Sequence, residues 1–115
     1  MSAAILRSSP ALDAAREFAR RVGLSWPLRG ALLFGSQARG NAHVGSDTDV
    51  AVLLGGEPGD FVATKLALDD VAYDVLLESG VRIQPLPIWE REWAHPETYL
   101  NPRLLHNIAR EGLPL

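Results

Sequence analysis

The sequence predicts an α/β fold. Apolar runs of strand length occur near residues 28–34, 48–54 and 81–88, segments with helical spacing lie between and around them, and glycines mark most of the joints. With 115 residues, 47% hydrophobic and 22% charged, the chain is expected to be one domain, 1–115, able to bury a real core.

The elements follow in order. Ser9-Pro10 reads as an N-cap followed by proline at the first helical position. Leu12, Ala15, Phe18, Ala19 and Val22 then form one stripe, and Gly23 is expected to end that helix. Trp26-Pro27 connects to the first strand, residues 28–34, with its aromatic ring expected to pack on the sheet. That strand is apolar on both faces and should be central. Residues 36–39 allow one short helical turn, and 48–54 the second strand. Asp60 can cap a long helix over 60–79, whose apolar side is read as Leu66, Val71 and Val75, with Gly80 as C-cap. A third strand spans 81–88, but Pro85 and Pro87 demote it to an edge or limit its regular part to 81–84. A last helix fits 102–110, stopped at Gly112.

The chemistry concentrates between the first two strands. Gly35-Ser36-Gln37-Ala38-Arg39-Gly40 is followed by Gly45-Ser46-Asp47-Thr48-Asp49-Val50. Side chains at i and i+2 of a strand share a face, so Asp47 and Asp49 project together. Two such charges about 4 Å apart repel by roughly 4 kcal/mol at an effective dielectric of 20. Protonation, solvent, a cation or a divalent metal relieves that repulsion. Oxygen ligands suit Mg²⁺, which is commonly shared with substrate phosphates. The turn at Gly35 and Ser36 presents free N–H groups that can hold a phosphate. The Gly-x-x-x-x-Gly spacing of 35–40 is not a P-loop, because Asn41 stands where lysine is required and no Ser or Thr follows. For Ser36 to meet Asp47 and Asp49, the first two strands must run antiparallel.

This stretch resembles the signature of the nucleotidyltransferase superfamily that includes DNA polymerase β, a Gly-Ser turn followed by Asp-x-Asp. GSQARG and SDTDVAVLL look most like the small bacterial MNT (minimal nucleotidyltransferase) domains, with Gly35, Ser36, Arg39, Gly40, Ser46, Asp47 and Asp49 fitting position by position. The resemblance implies a small mixed three-stranded sheet with flanking helices. It implies Mg²⁺, or Mn²⁺, on Asp47 and Asp49. It also implies a nucleoside triphosphate, ATP above all, with its phosphates on Gly35, Ser36, Arg39 and Ser46, and transfer of a nucleoside monophosphate to a hydroxyl. Small MNT proteins resemble the antitoxin half of modules whose toxin is a helical HEPN-type ribonuclease that the antitoxin adenylylates. A HEPN-like helical partner, or a homo-oligomer, follows from the same resemblance.

The match fails at one place. Complete members carry a third carboxylate on the next strand. Here Gln84 stands nearest that position, and an amide can ligate a metal weakly but cannot act as a base near neutral pH. Asp74, in the Asp70, Asp74, Glu78 stripe of the long helix, is the first substitute to consider, although that stripe reads first as a solvated face. The alternative function is therefore a catalytically impaired binding protein that keeps the fold and works through association.

The remaining features carry less. His43 could touch a nucleotide from the motif loop, while His95 and His106 lack metal-ligand spacing. Trp89, Trp93 and Tyr99 cluster among charges after the third strand and read either as core caps or as the anchors of a protein interface over 89–100. The formal charge of −3 argues against direct nucleic-acid binding. With no cysteine, no signal-peptide-like start and no membrane-length apolar run, a cytoplasmic protein is expected.

Overall fold

The structure, a computed structural model, describes residues 9–40 and 46–115. Its elements are α1 (Pro10–Ser25), β1 (Leu28–Phe34), α2 (Ser36–Arg39), β2 (Thr48–Leu54), α3 (Phe61–Ser79), β3 (Ile83–Trp89), α4 (Glu90–Ala94), a 3₁₀ turn (Pro96–Thr98), α5 (Pro102–Glu111) and β4 (Leu113–Pro114). The sheet order is β3-β2-β1-β4. β1 is antiparallel to both β2 and β4, and β2 is parallel to β3, so the sheet is mixed.

Local chemistry accounts for the helix starts. The Ser9 hydroxyl accepts the Leu12 N–H at 3.1 Å, Asp60 accepts Ala63 N–H at 2.9 Å, and Asn101 accepts Leu104 N–H at 3.3 Å. Each cap satisfies a backbone donor that the helix itself leaves unpaired. Gly23 does not end α1, which runs to Ser25 and closes with the Trp26 N–H on the Val22 carbonyl. Gly80 does end α3, where the chain takes a left-handed turn with φ of +75°.

The sheet has four strands rather than three. After α5, the Gly112 N–H donates to the Ile108 carbonyl, and the chain then lies along the free side of β1, where Leu115 N–H reaches the Ala31 carbonyl at 3.0 Å. This makes β1 an interior strand, in keeping with its apolar sequence.

β3 is an edge strand, but its regular part is not confined to 81–84: it begins at Ile83 and includes both prolines. In a parallel pair each residue turns its N–H and C=O to one side, alternating along the strand. Arg82 turns its carbonyl to β2, where it accepts from Thr48 N–H. Pro85 and Pro87 therefore turn the other way, and the outward carbonyl of Pro87 accepts the Tyr99 hydroxyl at 3.1 Å. The missing proline donors fall on the open edge and break no ladder bond.

The sheet is covered on both faces. Ala31, Leu33, Val50, Val52, Leu54 and Ile83 pack with α1 and α3, and Trp26 lies partly buried against the same group. Ala51 and Ile88 pack on the opposite face with Tyr99, Leu105 and Ile108, and Trp93 lies partly buried there. Two expectations change. On α3 the buried residues are Thr64, Leu68, Ala72 and Val75, while Leu66 is exposed. Trp89 and Tyr99 are core residues, so the segment 89–100 is not the row of interface anchors considered from sequence; of its large apolar residues only Leu100 stands out in solvent. Among the described residues, no helix is long and apolar enough to cross a membrane.

Candidate functional site

β1 ends at Phe34, and Gly35 turns the chain with φ of +74°. The turn runs into the single helical turn α2, where Arg39 N–H bonds to the Gly35 carbonyl at 3.1 Å, and Gly40 closes it at φ of +77°. Gly35 is required twice over. Its backbone conformation strains any residue with a side chain, and a β-carbon there would collide with the Asp49 Oδ2. The glycine turn and the Asp49 carboxylate are thus packed directly on one another.

The antiparallel register brings this about. Phe34 pairs with Asp49 across β1 and β2. On the other side of β2, Asp49 pairs with Gln84 of β3. Asp49 alternates with Val50 and Val52, which enter the core under α1 and α3, and so lies on the sheet face covered further along by α5. Burial, and then the Asp47 charge, push the Asp49 carboxyl above the usual carboxylate range, while the nearby Arg39 pulls it back. Asp47 sits one step before β2 and is half exposed, its Oδ1 3.7 Å from the Arg82 Nε.

The expected residues therefore divide. Gly35, Arg39, Asp47, Asp49 and Gln84 are brought together by the strand register and by charge. Ser36 stands half-buried at the start of α2, directly after Gly35. Ser46 lines a different hollow, a cleft of about 580 Å³ shared with Gln37, Thr48, Arg82 and the start of α1. Asp74 is exposed on α3, which packs on the opposite face of the sheet from Asp49, so the solvated-stripe reading holds for Asp70 and Asp74, while Glu78 is ion-paired with Arg21 of α1. Gly45 and His43 lie outside the described residues. Among the described residues, no group of three or more His, Cys, Asp or Glu is placed to hold a metal ion. Asp47 and Asp49 are the acids of this site, with the Gln84 amide in register beside them.

Two features escaped the sequence reading. Arg82 is the residue opposite Asp47, and its position two before Gln84 on the alternating strand was the signal for it. A cavity of about 180 Å³ beside the turn is lined by Gly35 and Arg39 on one side and by Asn107, Ile108 and Glu111 of α5 on the other. Nothing local in the sequence marks those α5 residues, because only the return of the chain through β4 sets α5 against the turn.

The donor set fits a divalent cation on chemical grounds. Two carboxylates lie near enough for the charge of one to act on the other, the more buried one is disfavoured as an anion by burial and by its neighbour, and the glycine leaves room for it.

Known proteins share this architecture. A crystal structure described as "a putative nucleotidyltransferase from Sulfolobus solfataricus" aligns over 94% of this chain and 87% of its own, with 17% identity and a TM-score of 0.54. A crystal structure of a toxin-antitoxin with AMP-PNP aligns over 89% of this chain and 69% of its own, with 19% identity and a TM-score of 0.61. No curated protein matches. The family described as nucleotidyltransferase domain matches residues 15–106, a span that includes the glycine turn, both aspartates and Gln84, and the chain belongs to that family.

Proposed function

We propose that the chain binds a nucleoside triphosphate with Mg²⁺, or Mn²⁺, at Asp47 and Asp49, and transfers its nucleoside monophosphate to a hydroxyl on a partner protein. AMP from ATP is the favoured group. In this reading the protein serves as the antitoxin of a module whose partner is helical and HEPN-like. The observation that carries the reading is the Asp49 carboxylate packed on the Gly35 turn, which sets one carboxylate of the pair directly against the glycine turn of the motif. The structural likeness to a toxin-antitoxin crystallised with AMP-PNP supports both the nucleotide and the protein partner.

Asp47 and Asp49 hold the cation and Gly35, Ser36 and Arg39 face the phosphates. The cation, when bound, orients the phosphates and offsets the charge that develops on them. The acceptor oxygen forms a bond to the α-phosphorus, the bond to the bridging oxygen breaks, and pyrophosphate leaves with the electron pair. Gln84 stands where a base would be useful and cannot take the hydroxyl proton, which then passes to solvent. General-base help is typically worth about 10²–10⁴-fold. Turnover is accordingly slow, and Gln84→Asp is expected to raise it.

A second reading is favoured by the other side of the same row. With Arg82 opposite Asp47 and an amide opposite Asp49, the site keeps its ligands for a nucleotide but lacks the base, as a binding protein without turnover would. Melting curves with and without MgATP test the shared part. MgATP is expected to raise the melting temperature of the wild type and not that of Asp49→Asn. Equal rises in both would overturn the site. Labelled ATP with Mg²⁺ and the partner then separates transfer from binding alone. Asp49→Asn also has a signed effect without ligand. A carboxyl with a raised pKa holds its proton better in the fold than in the unfolded chain, so its ionisation costs stability as pH rises through that value. The variant should melt higher than wild type at neutral pH, and the difference should fade below the ordinary carboxylate range.

A further inference from the structure

The long helix α3 is apolar on two opposite sides. Thr64, Leu68, Ala72 and Val75 face the sheet. Val62, Leu66, Tyr73 and Leu77 lie along the far side at 3.6 residues per turn and are all well exposed. A helix packed on one sheet needs only one apolar stripe, and a second row of large apolar side chains in solvent marks a contact surface. The stripe has an acidic border. Lys65 is neutralised by Asp69 at 2.7 Å. Asp70 and Asp74 are exposed and have no ion pair among the described residues. A cavity of about 180 Å³ continues from Asp69, Tyr73 and Leu76 of this helix to Arg82, just before β3, and Gln84 on it, the two residues that stand opposite Asp47 and Asp49.

Charge decides what can cover the stripe. An antiparallel second copy would set Val62 against Leu77 and Leu66 against Tyr73, and its two-fold axis would fall between positions 69 and 70. That brings Asp69 of each copy to Asp70 of the other and Lys65 to Asp74, so these four positions set a net charge of −2 from each copy against the same charge of the other, which opposes the pairing. A partner with basic flanks meets no such cost. The cavity ends at the edge strand that carries Gln84, so a partner docked on α3 has to reach around that edge to the site on the opposite face.

We propose that the outer face of α3 is the docking surface for the acceptor protein, and that it takes an amphipathic helix with apolar residues on one side and Arg or Lys at its edges. The proposal rests on the protein-acceptor reading above and adds where, and by what chemistry, that partner binds.

The test uses the full chain and two labelled synthetic helices of about 18 residues, near the length of α3. One has leucine along one face and arginine at its borders; its twin has glutamate in place of each arginine. Fluorescence anisotropy is expected to show binding of the cationic helix, with the acidic twin at least about tenfold weaker. Leu66→Ser and Tyr73→Ser should each weaken binding about tenfold or more, as truncated anchors do. Asp70→Lys should weaken it by a smaller factor, and Leu100→Ser should leave it unchanged. All four positions are exposed, and a melting curve for each variant verifies the fold. Equal affinity for the twins, or full binding by Leu66→Ser and Tyr73→Ser, overturns the proposal. So does a concentration-dependent dimer in sedimentation that Leu66→Ser abolishes, because a second copy is then the occupant. Binding seen only after removal of residues 1–8 overturns it too, since the chain's own N-terminus then covers the face. The titration is run without MgATP, so its outcome is independent of the melting test of the nucleotide site, and either can fail alone.

Discussion

Trp89 and Tyr99 stand among Glu90, Arg91, Glu92 and Glu97, and are 6% and 7% exposed. Leu66, Tyr73 and Leu77 stand among Asp69, Asp70 and Asp74, and are 60%, 58% and 67% exposed. Both regions mix large apolar side chains with charges, and the outcomes are opposite. The first region follows an edge strand and must fold back over an otherwise uncovered half of the sheet. Tyr99, with Trp93 beside it, fills that gap, and its hydroxyl finds the outward carbonyl of Pro87, while Trp89, the last residue of β3, is buried in the core on the α1 and α3 face. The second lies on a helix whose other side already occupies the sheet, and a rigid rod can present only one side to one surface. Burial is decided by which surface remains to be covered, not by the apolar content of the segment.

The largest expected effect tests the buried half of this comparison. Trp89→Ala should lower stability by about 3–5 kcal/mol in denaturant titrations, the usual cost of emptying a buried tryptophan site. A change near zero would mean that the ring is an interface group after all. Trp93→Ala, at a partly buried ring, should fall below that range.

Next comes Tyr99→Phe, which keeps the ring and removes one hydrogen bond. Chemical denaturation should show a loss of about 1 kcal/mol, and the Pro87 carbonyl at the sheet edge should become open to water. The tyrosine itself should titrate late, pushed up to about 12 by burial and by the Glu92 charge.

Substitution on the exposed half should do much less. Leu66→Ser or Tyr73→Ser is expected to change stability by about 0.5 kcal/mol or less, the range of surface changes that break no packing. A loss of several kcal/mol in the purified chain would show that the stripe is already covered.

The smallest effect at neutral pH concerns the polar seam between the first and third helices. Arg21 bonds to Glu17 on α1 and to Glu78 on α3, each at 2.6 Å, and Arg20 also bonds to Glu17. Those arginines, Arg20 first, hold the Glu17 carboxyl down to about 2. A group with a lowered pKa adds stability above its ordinary value, and that stability is lost as pH falls through the lowered one. Because these ion pairs are open to solvent and screened, Glu17→Gln should lower the melting temperature only slightly at pH 7. It should flatten the acid limb between the ordinary carboxylate range and about pH 2.

Much of this protein is written locally. The ends of β1 and β2, the caps at Ser9 and Asp60, the stop at Gly80 and the pairing of Asp47 with Asp49 on one face all follow from neighbours within a few residues. Caps, turns and two-residue alternation are short-range effects, and a sequence displays them directly. The glycine turn and the two aspartates carried the family resemblance for the same reason.

The tertiary structure decided the rest. It added β4, which no periodicity announces in a two-residue strand, and with it the approach of Asn107 and Glu111 to the turn. It set Gln84 against Asp49 and Arg82 against Asp47, carried both prolines on the free side of β3, and put Asp74 behind the sheet. It also chose which apolar side of α3 to bury. These are outcomes of register and packing between segments far apart in the chain. A helix with two apolar stripes, or a strand with prolines on one side, satisfies its local rules in more than one arrangement, and only the surfaces offered by the other elements select among them.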